Sequence, residues 1–366
     1  MNYIFIYGNH PELSRAEVQS LLPTAKLERL SEAIDLVSSL IHNPERLIER
    51  LGGTIKIAEV IGARVDERQL AELLAKGHRS GKLIFGLSFY TKASNRLGME
   101  IKRHLKERGI GSRLVTSKEP ILSSVIVREN KCQEIIVTPK HVALTRAVQN
   151  YKADAFREFK RPASDSRSGM LPTKLARMLV NLAQAPRESA ILDPFCGSGT
   201  VLTEALALGY RQLIGSDNSQ KAVTDTKINL NWLSEHLRCS PEVTLHQQSV
   251  DGLSKVVAPQ SVTAIVTEPY LGPPLHGNEP EARVIKIISD LRPLYQAALQ
   301  EFLKVLVAGG RVVMVIPEWH VGDQIYYLGV EQFPEFKKFK RHDDNHLLYH
   351  REGQHVWRKI IILEKA

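Results

Sequence analysis

Long apolar runs are missing from these 366 residues: nowhere do eighteen apolar residues follow one another, and no charged-then-apolar leader opens the chain. The expectation from both absences is a cytoplasmic protein, neither inserted in a membrane nor secreted. Cysteine is scarce as well. Cys132, Cys196 and Cys239 are odd in number and far apart, which excludes a disulfide framework or a cysteine zinc site and reads as reduced thiols. His342, His346, His350 and His355 cluster near the C-terminus. No carboxylate or cysteine stands at a ligand spacing with them, so no metal is expected. Internal repeats and low-complexity segments are absent too.

What is present starts with length and charge. The chain is longer than one typical domain and predicts two or three. Its hydrophobic fraction of 43% is ordinary for a chain able to bury large cores. The formal net charge of +9 is placed unevenly. Residues 1–161 hold 27 Lys+Arg against 18 Asp+Glu, whereas residues 162–366 hold 22 of each. A basic half beside a neutral half points to nucleic-acid capture by the former.

The central stretch is Ala190-Ile191-Leu192-Asp193-Pro194-Phe195-Cys196-Gly197-Ser198-Gly199-Thr200. An apolar strand enters an acid and a glycine-rich turn, and Val201 to Leu208 reads as the following helix. Gly197 and Gly199 permit a sharp bend and close approach of a ligand to the backbone. Eighteen residues beyond Gly199, Leu213-Ile214-Gly215-Ser216-Asp217 ends a second strand in an acid, the spacing at which a carboxylate accepts hydrogen bonds from a ribose. The turn lacks the Lys-Ser/Thr ending of a P-loop and the third glycine of a dinucleotide fingerprint. A ligand without a pyrophosphate is favoured, and S-adenosylmethionine fits: ribose at Asp217, ammonium near Asp193. A tight turn with no ligand is the plain alternative.

Strands and helices alternate through the first sixty residues in an α+β manner, beginning with the strand Tyr3–Tyr7 and the helix Pro11–Leu22. A helix over Met99–Arg108 carries Lys102, Arg103, Lys106 and Arg108, with Lys92, Arg96 and Arg113 close by. Few aromatics interleave with these charges, so the expected contacts are to phosphates, through Lys102, Arg103, Lys106 and Arg113. Ser123–Val127 and Glu134–Thr138 read as two closing strands. The domains expected are 1–52 and 53–148, a polar, proline-containing linker over 149–170, and a last domain over 171–366. In that domain Ile191, Leu213, Val243, Ala264 and Val312 each sit in a strand core, which predicts a mainly parallel, doubly wound sheet.

A further strand, Val262–Val266, runs into Thr267-Glu268-Pro269-Tyr270. Carboxyl ends of neighbouring strands open onto one crevice, so Gly197 and Tyr270 are expected to face a shared pocket. A rigid proline turn with an aromatic offers a platform for a flipped-out base. The pairing of these two motifs resembles the S-adenosylmethionine-dependent amino-group methyltransferases, whose second motif is usually Asp or Asn, Pro, Pro, then an aromatic. Arg161-Pro162, Arg167-Ser168-Gly169-Met170-Leu171-Pro172 and Lys174-Leu175-Ala176 resemble the linker and leading helix of the THUMP-domain tRNA guanine-N2 methyltransferases. Tyr349-His350-Arg351, Gly353-Gln354 and Trp357-Arg358 resemble their closing hairpin, and Gly52-Gly53-Thr54-Ile55-Lys56-Ile57 a part of their N-terminal module.

The resemblance implies a Rossmann-like α/β methyltransferase domain preceded by an α+β ferredoxin-like and THUMP module that grips tRNA, and methylation at N2 of guanine 10. It places S-adenosylmethionine on Asp193, Phe195, Gly197, Gly199, Asp217, Asn218 and Ser249. Ser249 stands where many relatives carry an acid near the adenine, with Asp251 two residues away as an alternative. Thr267 and Glu268 replace the family's Asp or Asn and first Pro. The expectation is that Tyr270 stacks the guanine, the Thr267 hydroxyl or carbonyl accepts one N–H, and Glu268 serves as second acceptor or proton sink. Cys196 is expected to be a small packing residue in the turn. The residues leave open a DNA adenine-N6 or cytosine-N4 methyltransferase, or a tRNA-binding protein with an inactive methyltransferase half. The sequence is silent on an accessory subunit.

Overall fold

Two β-sheets divide the chain. The computed structural model describes residues 1–76, 78–92, 94–163, 170–343 and 347–366, and all that follows concerns these residues. In order the N-terminal part holds β1 (Asn2–Tyr7), α1 (Pro11–Leu21), β2 (Lys26–Ser31), β3 (Ile34–Ser38), α2 (Pro44–Arg50), β4 (Thr54–Gly62), α3 (Glu67–Lys76), β5 (Leu83–Phe89), α4 (Asn95–Glu107), β6 (Ser112–Val115), α5 (Ser124–Glu129), β7 (Gln133–Val137) and β8 (Val142–Val148). Their strands form one sheet in the order β2-β3-β1-β4-β8-β7-β5-β6. A single sheet thus runs through both segments expected as separate, 1–52 and 53–148.

The helices of this sheet follow from caps and apolar stripes. Ser94 accepts the Leu97 N–H and starts α4 four residues ahead of the expected Met99. Ile101 and Leu105 of α4 join Leu70 and Leu74 of α3 over Phe85 and Ile135 of the sheet. Ser123–Val127 is a correction: these residues lead into α5 rather than forming a strand. The Ser123 hydroxyl accepts the Ile126 N–H at 3.2 Å and caps the helix, and that cap outweighs the β preference of Val125, Ile126 and Val127. Inside the sheet, Lys56 Nζ lies 2.5 Å from Glu134 Oε1 with both side chains buried. Thr145 Oγ1 donates to Glu134 Oε2 at 2.7 Å, so the buried charge is paired and hydrogen-bonded, as burial demands.

The second part holds α6 (Tyr151–Phe159), α7 (Thr173–Leu182), β9 (Ala190–Asp193), α8 (Thr200–Ala207), β10 (Gln212–Asp217), α9 (Gln220–Leu237), β11 (Glu242–Gln247), β12 (Val262–Thr267), α10 (Glu281–Val305), β13 (Leu306–Val321), β14 (Gln324–Tyr327), β15 (Phe339–Arg341), β16 (Leu348–Tyr349) and β17 (Val356–Lys365). The stretch expected as a linker carries α6, and its residues 164–169 lie outside the described residues, as does His346. The second sheet runs β11-β10-β9-β12-β13-β17-β15. From β11 through β13 every pairing is parallel, and β17 then runs antiparallel to β13. Strand order reverses between β9 and β12, and in open α/β sheets the ligand crevice lies outside the carboxyl ends at that point.

By compactness the chain divides into Met1–Pro11, Leu22–Arg50 and Thr54–Tyr151 on one side, and Glu12–Leu21, Leu51–Gly53 and Lys152–Ala366 on the other. Most of α1 and the pair Gly52-Gly53 therefore group with the second sheet. Leu13 of α1 shares a core with Leu175, Met178 and Leu179 of α7. The fully buried Glu17 carboxylate accepts the Gly52 and Gly53 N–H groups at 2.8 and 2.9 Å. Asn181 Nδ2 donates to it at 2.7 Å.

Candidate active site

Asp193 and Thr267 end adjacent parallel strands at the reversal point, since Ile265 of β12 stands opposite Leu192 of β9. The Thr267 hydroxyl donates to Asp193 Oδ1 at 2.6 Å, and the Phe195 N–H donates to the same oxygen at 3.1 Å. Asp193 is 2% exposed. Burial pushes its carboxyl up to about 7, against the pull of these two hydrogen bonds, and the nearby Asp217 and Glu268 charges push it further.

The turn after β9 is shaped for close approach. Gly197 has φ +52° and Gly199 φ +82°, left-handed values that favour glycine. A Cβ on Gly199 would stand 3.0 Å from Thr226 Oγ1, whereas beside Gly197 no described atom lies within 4 Å of where a Cβ would be. That open space is where a ligand could lie against the backbone. Asp217, at the carboxyl end of β10, accepts the Gly197 N–H at 3.0 Å and the Ser219 N–H at 2.9 Å. Its carboxylate thereby fixes the turn and keeps lone pairs for a ribose. Asn218 is exposed beside it, and Ser249 is exposed just beyond the carboxyl end of β11. Asp251 is exposed in the 3-10 turn that follows. Phe195 is partly buried against the second core of this unit. Cys196 is buried, and burial pushes its thiol up, so it is a packing residue and no nucleophile.

Residues 154–336 match the family described as RMKL-like, methyltransferase domain. The chain belongs to that family. Among relatives of this RMKL-like methyltransferase is the tRNA (guanine(10)-N2)-dimethyltransferase of Pyrococcus abyssi, 27% identical over 325 residues, covering 87% of this chain and 88% of that one. The enzyme of the same name from Methanothermobacter thermautotrophicus is 25% identical over 277 residues, covering 74% of this chain and 77% of that one. The crystal structure of TrmN from Thermus thermophilus shares the fold over the full length of both chains, with a TM-score of 0.56 at 16% identity.

The second motif of this methyltransferase is built differently from the expectation at two residues. Thr267 is fully buried and its hydroxyl gives its hydrogen to Asp193, a contact the sequence reading did not anticipate. Glu268 is ion-paired: Arg358 Nε donates to Oε2 at 2.6 Å, and Nη2 reaches Oε1 at 3.3 Å. Burial raises the Glu268 carboxyl above its ordinary value even though the Arg358 charge and hydrogen bond pull it down. Pro269 is buried, and Tyr270 stands 60% exposed next to it. The buried Tyr295 hydroxyl donates to the Tyr270 carbonyl at 3.1 Å and steadies this ledge.

Four supporting residues had no role at the site in the sequence reading, although Arg161 and Arg358 stand in segments that carried the resemblance. On α9, Thr226 Oγ1 donates to the Gly197 carbonyl at 2.9 Å, and Asn229 Nδ2 donates to the Ser198 carbonyl at 2.8 Å. Asn229 also accepts the Ala163 N–H at 3.0 Å. Arg161 Nη1 donates to Thr200 Oγ1 at 2.7 Å. The available signal was a polar pair three apart on the face of α9 that carries Val223, Leu230 and Leu233. Arg358, ninety residues from Glu268, had no local signal.

The expected RNA contacts Lys102, Arg103, Lys106 and Arg113 are all exposed. Arg103 is partly satisfied by Glu100, 2.7 Å away on the same helix. Arg113 lies on β6, an edge strand. Among the described residues no group of three or more His, Cys, Asp or Glu is placed to hold a metal ion, and no helix is long and apolar enough to cross a membrane.

Proposed function

We propose that this chain methylates N2 of guanine 10 in tRNA, using S-adenosylmethionine, in the cytoplasm. The observation that carries the reading is the Thr267–Asp193 hydrogen bond, which joins the cofactor turn and the base-presenting motif at one crevice. The names of the relatives from Pyrococcus abyssi and Methanothermobacter thermautotrophicus supply the substrate.

The residues fit the cofactor: an open space at Gly197, a carboxylate at each neighbouring strand end, and the Phe195 ring beside them. Bound there, S-adenosylmethionine supplies an electrophilic sulfonium methyl. Asp193 faces its ammonium, Asp217 its ribose hydroxyls, and Asn218 and Ser249 line the adenine side. Tyr270 stacks the flipped guanine and holds N2 in line for attack, where positioning lowers the barrier by on the order of several kcal/mol. Glu268 faces the amine and stabilises the positive charge that grows on nitrogen. The proton that N2 then loses passes to this carboxylate or to water. Thr267 positions Asp193 rather than touching the base. Lys102, Arg103, Lys106 and Arg113 bind tRNA phosphates in a THUMP-like module.

The test is mass spectrometry of nucleosides from tRNA incubated with protein and cofactor. N2-methylated guanine is expected at position 10. Cofactor binding without transfer to any tRNA would instead identify an inactive tRNA-binding protein, and methylated adenine or cytosine in duplex DNA the rival enzyme.

A further inference from the structure

The Glu268–Arg358 pair is an unusual thing to place behind a base-stacking tyrosine. Most of both side chains is withdrawn from water: 10% of Arg358 and 13% of Glu268 remain exposed. Burying two charges often costs more than packing apolar groups in the same volume, so stability alone does not account for the pair. Arg358 is on β17, opposite Pro317 of β13, so its guanidinium reaches past β13 to the residue that follows β12. The grip is uneven, with Nε at 2.6 Å from Oε2 but Nη2 at 3.3 Å from Oε1. An ionised carboxylate has about four lone-pair sites and no donor. The guanidinium fixes one edge of it and leaves acceptor capacity over.

Guanine offers two adjacent donors, N1–H and N2–H. Adenine and 2-aminopurine place a bare ring nitrogen, an acceptor, beside the exocyclic amine. A carboxylate facing that edge accepts twice from guanine and meets a lone pair on the others. We propose that Glu268, oriented by Arg358, reads the N1–H and N2–H pair and makes the site select guanine over other bases bearing an amine. This rests on the reading of the crevice as a tRNA methylation site. Arg358 is a positioning residue: its charge and hydrogen bonds favour the ionised carboxylate and aim it. The other charged or titratable groups facing Glu268 are Asp193 from β9 and Tyr295 from α10, and neither can replace a guanidinium.

The experiment uses the full chain, S-adenosylmethionine and tRNA carrying either guanine or 2-aminopurine at position 10, with single-turnover transfer to N2 as the readout. The wild type is expected to prefer guanine by roughly tenfold to a hundredfold, the range of one well-made pair of base contacts. Glu268→Gln presents one acceptor and one donor, which suits 2-aminopurine, so the preference falls by at least about tenfold. Arg358→Gln leaves a buried carboxyl that protonates more readily, so its preference for guanine fades as pH is lowered while the wild-type ratio holds. A purely structural role for Arg358 would lower both rates together at every pH. Equal wild-type rates on the two RNAs overturn the proposal whether or not the variants fold. An unchanged ratio in a Glu268→Gln protein of wild-type melting temperature overturns it as well. Absence of transfer to either RNA by the wild type takes down the broader function and this proposal together.

Discussion

The Thr267 hydroxyl gives its hydrogen to Asp193 Oδ1 across two adjacent strands, 2.6 Å away and out of contact with water. The threonine is a brace for Asp193, the carboxylate proposed to face the cofactor. Thr267→Val keeps the shape and removes the donor. Leaving Asp193 without it costs about 1–3 kcal/mol, and cofactor affinity measured by calorimetry should fall roughly tenfold or more. Thr267→Ser restores the donor and most of the affinity. Asp193→Ala abolishes binding.

Cofactor affinity should depend on pH with a definite sign. The Asp193 carboxyl is pushed from 3.8 up to about 7 by burial, so at lower pH it is protonated in the unliganded chain. An ammonium group in the site favours the ionised form. Affinity therefore rises about tenfold per pH unit below this value, with a proton released on binding, and levels off above it. The stability of the unliganded chain should follow the opposite trend. Its unfolded state releases this proton near 3.8 while the folded state holds it to about 7, so the burial penalty grows across that window and is complete above it. Asp193→Asn should flatten both curves, checked by calorimetry and urea denaturation at a series of pH values.

The parallel sheet and its two chemical motifs were legible because each depends on neighbours in sequence: an apolar run, then a polar turn. Asp217 was singled out by its spacing, and its carboxylate accepts the Gly197 N–H. What could not be read was what crosses the chain. Arg358 pairs with Glu268 and Glu134 with Lys56, and neither carries a periodic or turn signal; the Asn229 bond to Ser198 left only a polar pair on one face of α9. The same blindness explains Ser123–Val127: a single capping hydroxyl decides helix over strand where the side chains alone favour the latter. Thr267 ends β12 where the sequence pattern put it, yet the direction of its hydroxyl is set by Asp193.

Salt dependence offers a graded test of the basic helix. Lys102 and Lys106 are exposed, whereas Arg103 is drawn toward Glu100 at 2.7 Å and Glu107 at 4.0 Å. Neutralising Lys102 and Lys106 should reduce the slope of log affinity for tRNA against log salt by roughly 0.7–0.9 for each lost phosphate contact. Arg103→Ala should change it less, because part of its charge is already answered within α4. Arg113→Ala, on the edge strand, should act like the lysines. Filter binding across a range of salt concentrations measures each slope, and four unchanged slopes would move the RNA surface elsewhere.

Glu17 makes the least expected demand on stability. It sits on α1, far ahead of the methyltransferase segments in sequence, yet its buried carboxylate holds the Gly52 and Gly53 amides and the Asn181 side chain. Glu17→Ala strands three donors where water does not reach, and hydrogen bonds to a charged acceptor contribute about 1.5–3 kcal/mol each. The unfolding midpoint in urea should drop by an amount equivalent to at least about 3 kcal/mol. Glu17→Gln, which keeps one acceptor oxygen, should fall between. The same contacts predict the fate of a fragment spanning residues 152–366. It would lose this carboxylate and the fully buried Leu13, which packs with Leu175 and Met178, and so expose the α7 face they cover. Such a fragment should show no cooperative unfolding transition, while a version that retains residues 1–151 should. A fragment that melts cooperatively by itself would show that α1 is dispensable to the second sheet.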